Sequence, residues 1–168
     1  MDDLVITGNN LCFVSKIVAQ FGNRFSLKDM GQLNFFLGME VISTKSRFFL
    51  SQHKYIRDLL SKTNMISAKD VSTPLSTTTS IKLVDGTSST NNTEFQSVIG
   101  AFQYLSLTKP DISFSVNKLS QFVHKPTVTH WTVAKRLLRY LKHTIFHGLH
   151  IKKKKKSSFE LITYSDAD

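Results

Sequence analysis

The sequence predicts an α+β fold, and three observations predict it. The first fifty residues hold short apolar runs rich in β-formers. Residues 93–145 carry apolar side chains at helical spacing. Between them, from Ser72 to Thr93, more than half the residues are Ser or Thr and aromatic side chains are almost absent. A hydrophobic content of 40% with 13 Phe suffices for a packed core. A length of 168 residues fits one domain or two small ones.

In chain order, Asp2 to Thr7 reads as a strand leaving a turn. Asn9-Asn10 is suited to cap a helix, and Leu11, Val14, Ile17, Val18, Phe21 and Phe25 mark one apolar face through about Arg24. Gly22 weakens the last turn, and Asp29-Met30-Gly31 is a turn. Leu33 to Ile42 is a dense apolar run with one glycine, Gly38. A polar stretch from Ser43 to Arg47 and a return run from Phe48 to Leu50 complete a β-hairpin with a five-residue loop. Ser51 is placed to cap a helix to about Lys62, with Tyr55, Ile56, Leu59 and Leu60 on its buried side.

Thr73-Pro74 breaks any helix. The Ser/Thr-rich stretch reads as a linker, or as an ordered crossing loop anchored by Ile81, Leu83 and Val84. Three helices follow. Thr93 caps the first, which holds Phe95, Val98, Ile99, Phe102 and Leu105. Pro110 and Asp111 open the second, with a stripe of Ile112, Val116, Leu119 and Phe122. The third runs from about Thr129 to Ile145, apolar along Trp131, Ala134, Leu137, Leu138 and Leu141. Lys135, Arg136, Arg139 and Lys142 line its other side, and Gly148 ends it. His150-Ile151 and Phe159 to Tyr164 read as two short strands around a lysine run.

The single cysteine, Cys12, excludes an internal disulfide and is simplest in an intracellular reducing compartment such as cytoplasm or nucleus. No apolar run reaches the roughly eighteen residues of a membrane span, and the acidic-then-apolar start is unlike a signal peptide. The net charge of +10 points to a polyanionic partner, nucleic acid first and an anionic membrane surface second. Lys152 to Lys156 carries much of it, and taken alone that run is a solvated segment. The basic side of the third helix suits sequence-independent phosphate contacts, or simply solvent.

Two clusters invite a metal. Asp2 and Asp3 are adjacent carboxylates at the edge of an apolar run, where like charges are unfavourable unless a cation neutralises them. A solvated acidic dipeptide is the plainer alternative. His143 and His147 stand four apart, as two helix ligands would, with His150 nearby, but Gly148 interrupts the helix and no Cys or acidic cluster lies close in sequence. His130, beside Trp131, reads as structural.

An ordered series of short motifs resembles copia-type LTR-retrotransposon Pol polyproteins over essentially the whole chain. Met1-Asp2-Asp3 is similar to the end of the Tyr-x-Asp-Asp hairpin of reverse transcriptases. Phe25-Ser26-Leu27-Lys28-Asp29-Met30-Gly31, Phe35-Phe36-Leu37-Gly38-Met39-Glu40 and Leu50-Ser51-Gln52-His53-Lys54-Tyr55 follow. Then come Ser72-Thr73-Pro74-Leu75, Ile99-Gly100-Ala101-Phe102-Gln103-Tyr104-Leu105, Thr108-Lys109-Pro110-Asp111-Ile112, His130-Trp131, Leu137-Leu138-Arg139-Tyr140-Leu141-Lys142 and Tyr164-Ser165-Asp166-Ala167-Asp168.

The resemblance implies a division into residual palm with a primer-grip-like hairpin over 1–50, a thumb- or connection-like helical bundle over 51–150 with a linker at 72–93, and the first ribonuclease H strand over 157–168. It implies that Asp2 and Asp3 help hold Mg²⁺ at the primer end and that Asp166 is the first ribonuclease H metal ligand. Phe36, Leu37, Gly38 and Met39 would grip an RNA or DNA template-primer, with Lys135, Arg136, Arg139 and Lys142 as further nucleic-acid contacts. The family takes its third polymerase carboxylate from an upstream strand and its other ribonuclease H ligands from further downstream, so the expectation for these residues alone is binding without catalysis. The start at Met inside a catalytic motif reads as a gene model or a relic opened at an internal codon. The family pattern also has Arg where this chain has Lys109, which loses a bidentate fork. The rival expectation is a non-enzymatic basic binding module.

Overall fold

The computed structural model describes residues 4–25, 27–76, 81–82 and 86–152. The expected strand over Phe159 to Tyr164, the catalytic candidates Asp2, Asp3 and Asp166, and the anchors Leu83 and Val84 lie outside the described residues. Within them the fold is α+β, with five α-helices and a four-stranded antiparallel sheet.

Helix α1 spans Leu11–Arg24, with the Asn10 side chain accepting from the Phe13 amide at 3.1 Å. It buries none of its residues, so its apolar stripe stays accessible. Leu4 to Thr7 form no strand: Leu4 is 60% exposed, and no neighbouring strand among the described residues offers a ladder to them.

Strand β1 is Phe35–Phe36, β2 is Met39–Ser43 and β3 is Arg47–Ser51. The expected single strand from Leu33 is thus broken. Phe36 pairs with Met39 across a two-residue turn made by Leu37 and Gly38, both at positive φ (47° and 75°), the pattern of a type I′ hairpin turn. The β2–β3 loop is shorter than expected, because Ser43 and Arg47 belong to the strands. The Thr44 hydroxyl closes the loop, accepting from the Arg47 amide at 3.0 Å and donating to its carbonyl at 2.9 Å.

Helix α2, His53–Lys62, starts two residues after Ser51, which remains in β3 opposite Glu40. Helix α3 is Asn92–Leu105. Its cap is Asn91 rather than Thr93, the Asn91 side chain accepting from the Glu94 amide at 3.2 Å. Pro110 opens a 3-10 turn to Ile112, and α4 follows over Ser113–Ser120. Helix α5 is Val128–His143, and β4, Leu149–Lys152, returns to pair antiparallel with β3. Gly148 makes that return possible, since a Cβ there would lie 2.7 Å from the Phe49 ring.

The core lies among α2, α3, α4 and α5, where Phe95, Phe102, Leu105, Leu119, Leu137 and Leu141 are fully buried. Each such side chain contributes roughly 1.5–3 kcal/mol. Apart from the buried Ser51 the strands are half-buried at most, with Phe35 53% exposed, so the helices supply most of the burial.

The described part of the Ser/Thr-rich stretch is fastened to the bundle. Ile81 packs against the core. The Lys82 carbonyl accepts from the His130 ring at 3.0 Å. Ser89 bridges Thr127, and the Val128 amide donates to the Ser88 carbonyl at 3.0 Å. His130 is fully buried and structural as expected, stacked on Phe122 at 4.2 Å. Its Nδ1 accepts from the Thr127 amide at 3.0 Å, so the proton on Nε2 is the one given to Lys82.

Candidate nucleic-acid interface

The β1–β2 turn presents Leu37 to solvent and keeps Phe36, Gly38 and Met39 half-buried behind it. A leucine at φ 47° is an uncommon residue in a left-handed conformation, which usually falls to Gly, Asn or Asp. Gly38 has a local reason to be glycine beyond its φ of 75°: a Cβ there would lie 2.8 Å from the Tyr104 hydroxyl oxygen. The close approach that Gly38 permits is therefore made to α3. Tyr104 in turn packs edge-on against Tyr55 of α2, their ring centroids 4.9 Å apart. Burial pushes the Tyr55 phenol above its ordinary range, with repulsion from Tyr104 adding to it.

The hairpin is also tied to α2 and to the end of α3. Glu40 on β2 meets His53 Nδ1 at 3.0 Å. The buried Gln52 accepts a hydrogen bond of 2.5 Å from the Thr108 hydroxyl through Oε1, while among the described residues its Nε2 has no partner. Phe36, Leu37, Gly38 and Met39 thus sit at a tip seated on the helical bundle.

The four basic residues of α5 fall into two groups. Lys135 is exposed, its Nζ 5.8 Å from the Trp131 ring centroid. The other three fasten the segment after α2. Arg136 donates to the Thr73 hydroxyl at 2.7 Å, Arg139 to the Lys69 carbonyl, and Lys142 to the Ala68 carbonyl at 2.7 Å. His143 adds a contact of 2.9 Å to Asp70. That contact holds the Asp70 carboxyl below the usual carboxylate range. His143 therefore faces a carboxylate rather than His147.

Lys109 is buried, donating through Nζ to the Thr144 carbonyl at 2.6 Å and to its hydroxyl at 3.3 Å. This point charge thus ties the 3-10 turn to the end of α5. Periodicity gives no sign of it, since a lysine before Pro-Asp reads as solvated. Tyr104 was equally illegible, because its role depends on a hairpin some sixty-five residues upstream.

The family model described as reverse transcriptase (RNA-dependent DNA polymerase) matches residues 1–77. The retrovirus-related Pol polyprotein from transposon RE1 of Arabidopsis thaliana is 45% identical over 168 residues, all of this chain and 11% of that protein. The corresponding polyprotein from transposon RE2 is 42% identical over the same span, again 11% of its length. The uncharacterized mitochondrial protein AtMg00810 of Arabidopsis thaliana is 39% identical over 99% of this chain and 69% of its own length. No solved structure matches. The chain belongs to the copia-type retrotransposon Pol family and carries sequence of its reverse transcriptase domain. It spans about one ninth of the RE1 and RE2 polyproteins, 11% of each.

Proposed function

We propose that this chain is a nucleic-acid-holding segment of a copia-type reverse transcriptase, with the β1–β2 turn as a primer-grip-like element and the helical bundle as its thumb- or connection-like support. The observation that carries this reading is Leu37, exposed and in a left-handed conformation at the turn tip. An apolar side chain kept in an unfavourable backbone region, with little packing in return, is explained by contact with something outside the chain. A sugar face of a primed template fits, because the chain carries a net charge of +10 and Lys135 offers an exposed cation for phosphate contact.

In the complete polymerase, Asp2 and Asp3 would hold Mg²⁺, a hard cation that takes carboxylate and phosphate oxygens. They are two of several ligands such an ion needs, the others coming from substrate phosphates and further carboxylates. Mg²⁺ there would neutralise charge at the primer end. Asp166 would stand in the same relation to the ribonuclease H metal site.

Fluorescence anisotropy with a labelled, primed RNA–DNA duplex tests the reading. Affinity should be sequence-independent and fall steeply between low and physiological salt. Leu37→Asp should weaken it without changing the helical circular dichroism. Affinity that ignores salt, or that ignores Leu37→Asp, overturns it.

A further inference from the structure

We propose a second contact with nucleic acid at the opposite edge of the sheet from β1: an aromatic shelf on β3 and β4 that stacks the bases of a single strand. It rests on the nucleic-acid reading above but uses none of its residues. Phe49 of β3 lies directly opposite His150 of β4, the ring centroids 4.8 Å apart. Together with Phe146, His147 and Gly148 they line an open, shallow groove of about 510 Å³. Phe146 is 76% exposed, a large apolar ring offered to solvent at the groove's edge.

The same face carries a charge pattern that points to a phosphate. Arg47 is directly opposite Lys152 in the β3–β4 ladder. Residues two apart on a strand share a face, so this pair stands beside Phe49 and His150. Like charges placed opposite each other destabilise a ladder, and among the described residues neither cation has an acidic partner. An anion there would remove the repulsion. Aromatic rings beside a cation pair are the two elements of a single-strand platform, where rings stack bases and cations track the backbone. Exposed aromatics alone would suit a protein partner equally; the cation pair decides for nucleic acid.

The test uses the full chain with three labelled probes: an oligothymidylate of about sixteen nucleotides, an abasic oligomer of equal length, and the primed duplex. Phe146→Ala should weaken oligothymidylate binding about 5- to 150-fold. It should leave abasic binding and the salt slope unchanged, and Phe146→Trp should restore the loss. Lys152→Glu should weaken binding of both single strands. Because Phe146 is mostly exposed, its variants keep the fold, which circular dichroism verifies. No loss with Phe146→Ala, or equal loss on the abasic probe, overturns the shelf. So does a change confined to self-association in sedimentation, which would make the groove a protein surface. If the parent binds the primed duplex while Phe146→Ala changes nothing, the shelf fails and the grip reading stands. Base-dependent binding that Phe146→Ala removes, without any duplex binding, upholds the shelf and overturns the grip.

Discussion

A Cβ on Gly38 would lie 2.8 Å from the hydroxyl oxygen of Tyr104, so the backbone of the β1–β2 turn and the side chain of α3 occupy adjoining space with nothing between them. Two separate costs therefore attach to Gly38→Ala. The left-handed φ of 75° costs an L-residue roughly 1–2 kcal/mol, and the phenol must also move. The variant should lose about 2 kcal/mol of stability, about 4–8 °C in Tm for a chain of this size. Tyr104→Phe removes the hydroxyl that a Cβ would meet. In the double variant the steric part should be recovered and the backbone part should remain, a non-additivity read by a double-mutant cycle. Strict additivity would show that the two residues do not meet.

Leu37 separates stability from function. Asn is favoured at the first central position of a type I′ turn, and Leu is not. With its side chain 55% exposed, Leu37 has little packing to lose. Leu37→Asn should raise stability by about 0.5–1 kcal/mol while lowering affinity for a primed duplex. Opposite signs in the two measurements are the result to look for. A loss in both would mean that Leu37 is held by the fold.

The helices were legible because their stripes are long and periodic, and the core residues read from α3 and α5, such as Phe95, Phe102, Leu137 and Leu141, are the buried ones. The β2–β3 hairpin was legible as two β-rich runs around a polar loop, whereas the second turn, at Leu37-Gly38, was not. Phe35-Phe36-Leu37-Gly38-Met39 is a continuous apolar run, and nothing in its period shows that Leu37 turns left-handed. Caps were legible to within one or two residues, since several Ser, Thr and Asn side chains compete near each helix start, as at Asn91 and Thr93. The basic stripe of α5 was legible as a stripe only. That Arg139 and Lys142 meet the carbonyls of Lys69 and Ala68 depends on where α2 sends the chain, which spacing along α5 does not encode.

That division of the stripe makes a further prediction. Lys135→Glu should weaken nucleic-acid binding and cost no more than the about 0.5–1 kcal/mol of an exposed cation–π contact. Arg139→Ala should cost about 1 kcal/mol, the net worth of its hydrogen bond to the Lys69 carbonyl. It should also open residues 68–73 to limited proteolysis, which Lys135→Glu leaves closed. If both variants expose that segment equally, Arg139 is not what fastens it.

The alkaline limb of stability should carry two opposed contributions from the same end of the bundle. Burial pushes the Lys109 ammonium below its ordinary value, against a smaller upward pull from Asp111. Between that lowered value and the ordinary 10.5 the unfolded chain holds a proton that the folded chain has released, so stability rises with pH. Tyr140 behaves in the opposite way. Burial, and then its hydrogen bond of 2.7 Å to Asp111, push the phenol up to about 12. The folded chain therefore keeps a proton that the unfolded chain loses above 10, and the stabilisation, complete below that pH, is lost as pH rises toward 12. Thermal melts from neutral pH upward should pass through a maximum. Lys109→Met should abolish the rising part and keep the fall; Tyr140→Phe should keep the rise and lessen the fall, the part due to the raised Tyr55 phenol remaining. Profiles that are indifferent to both substitutions would show that neither group changes its protonation on folding.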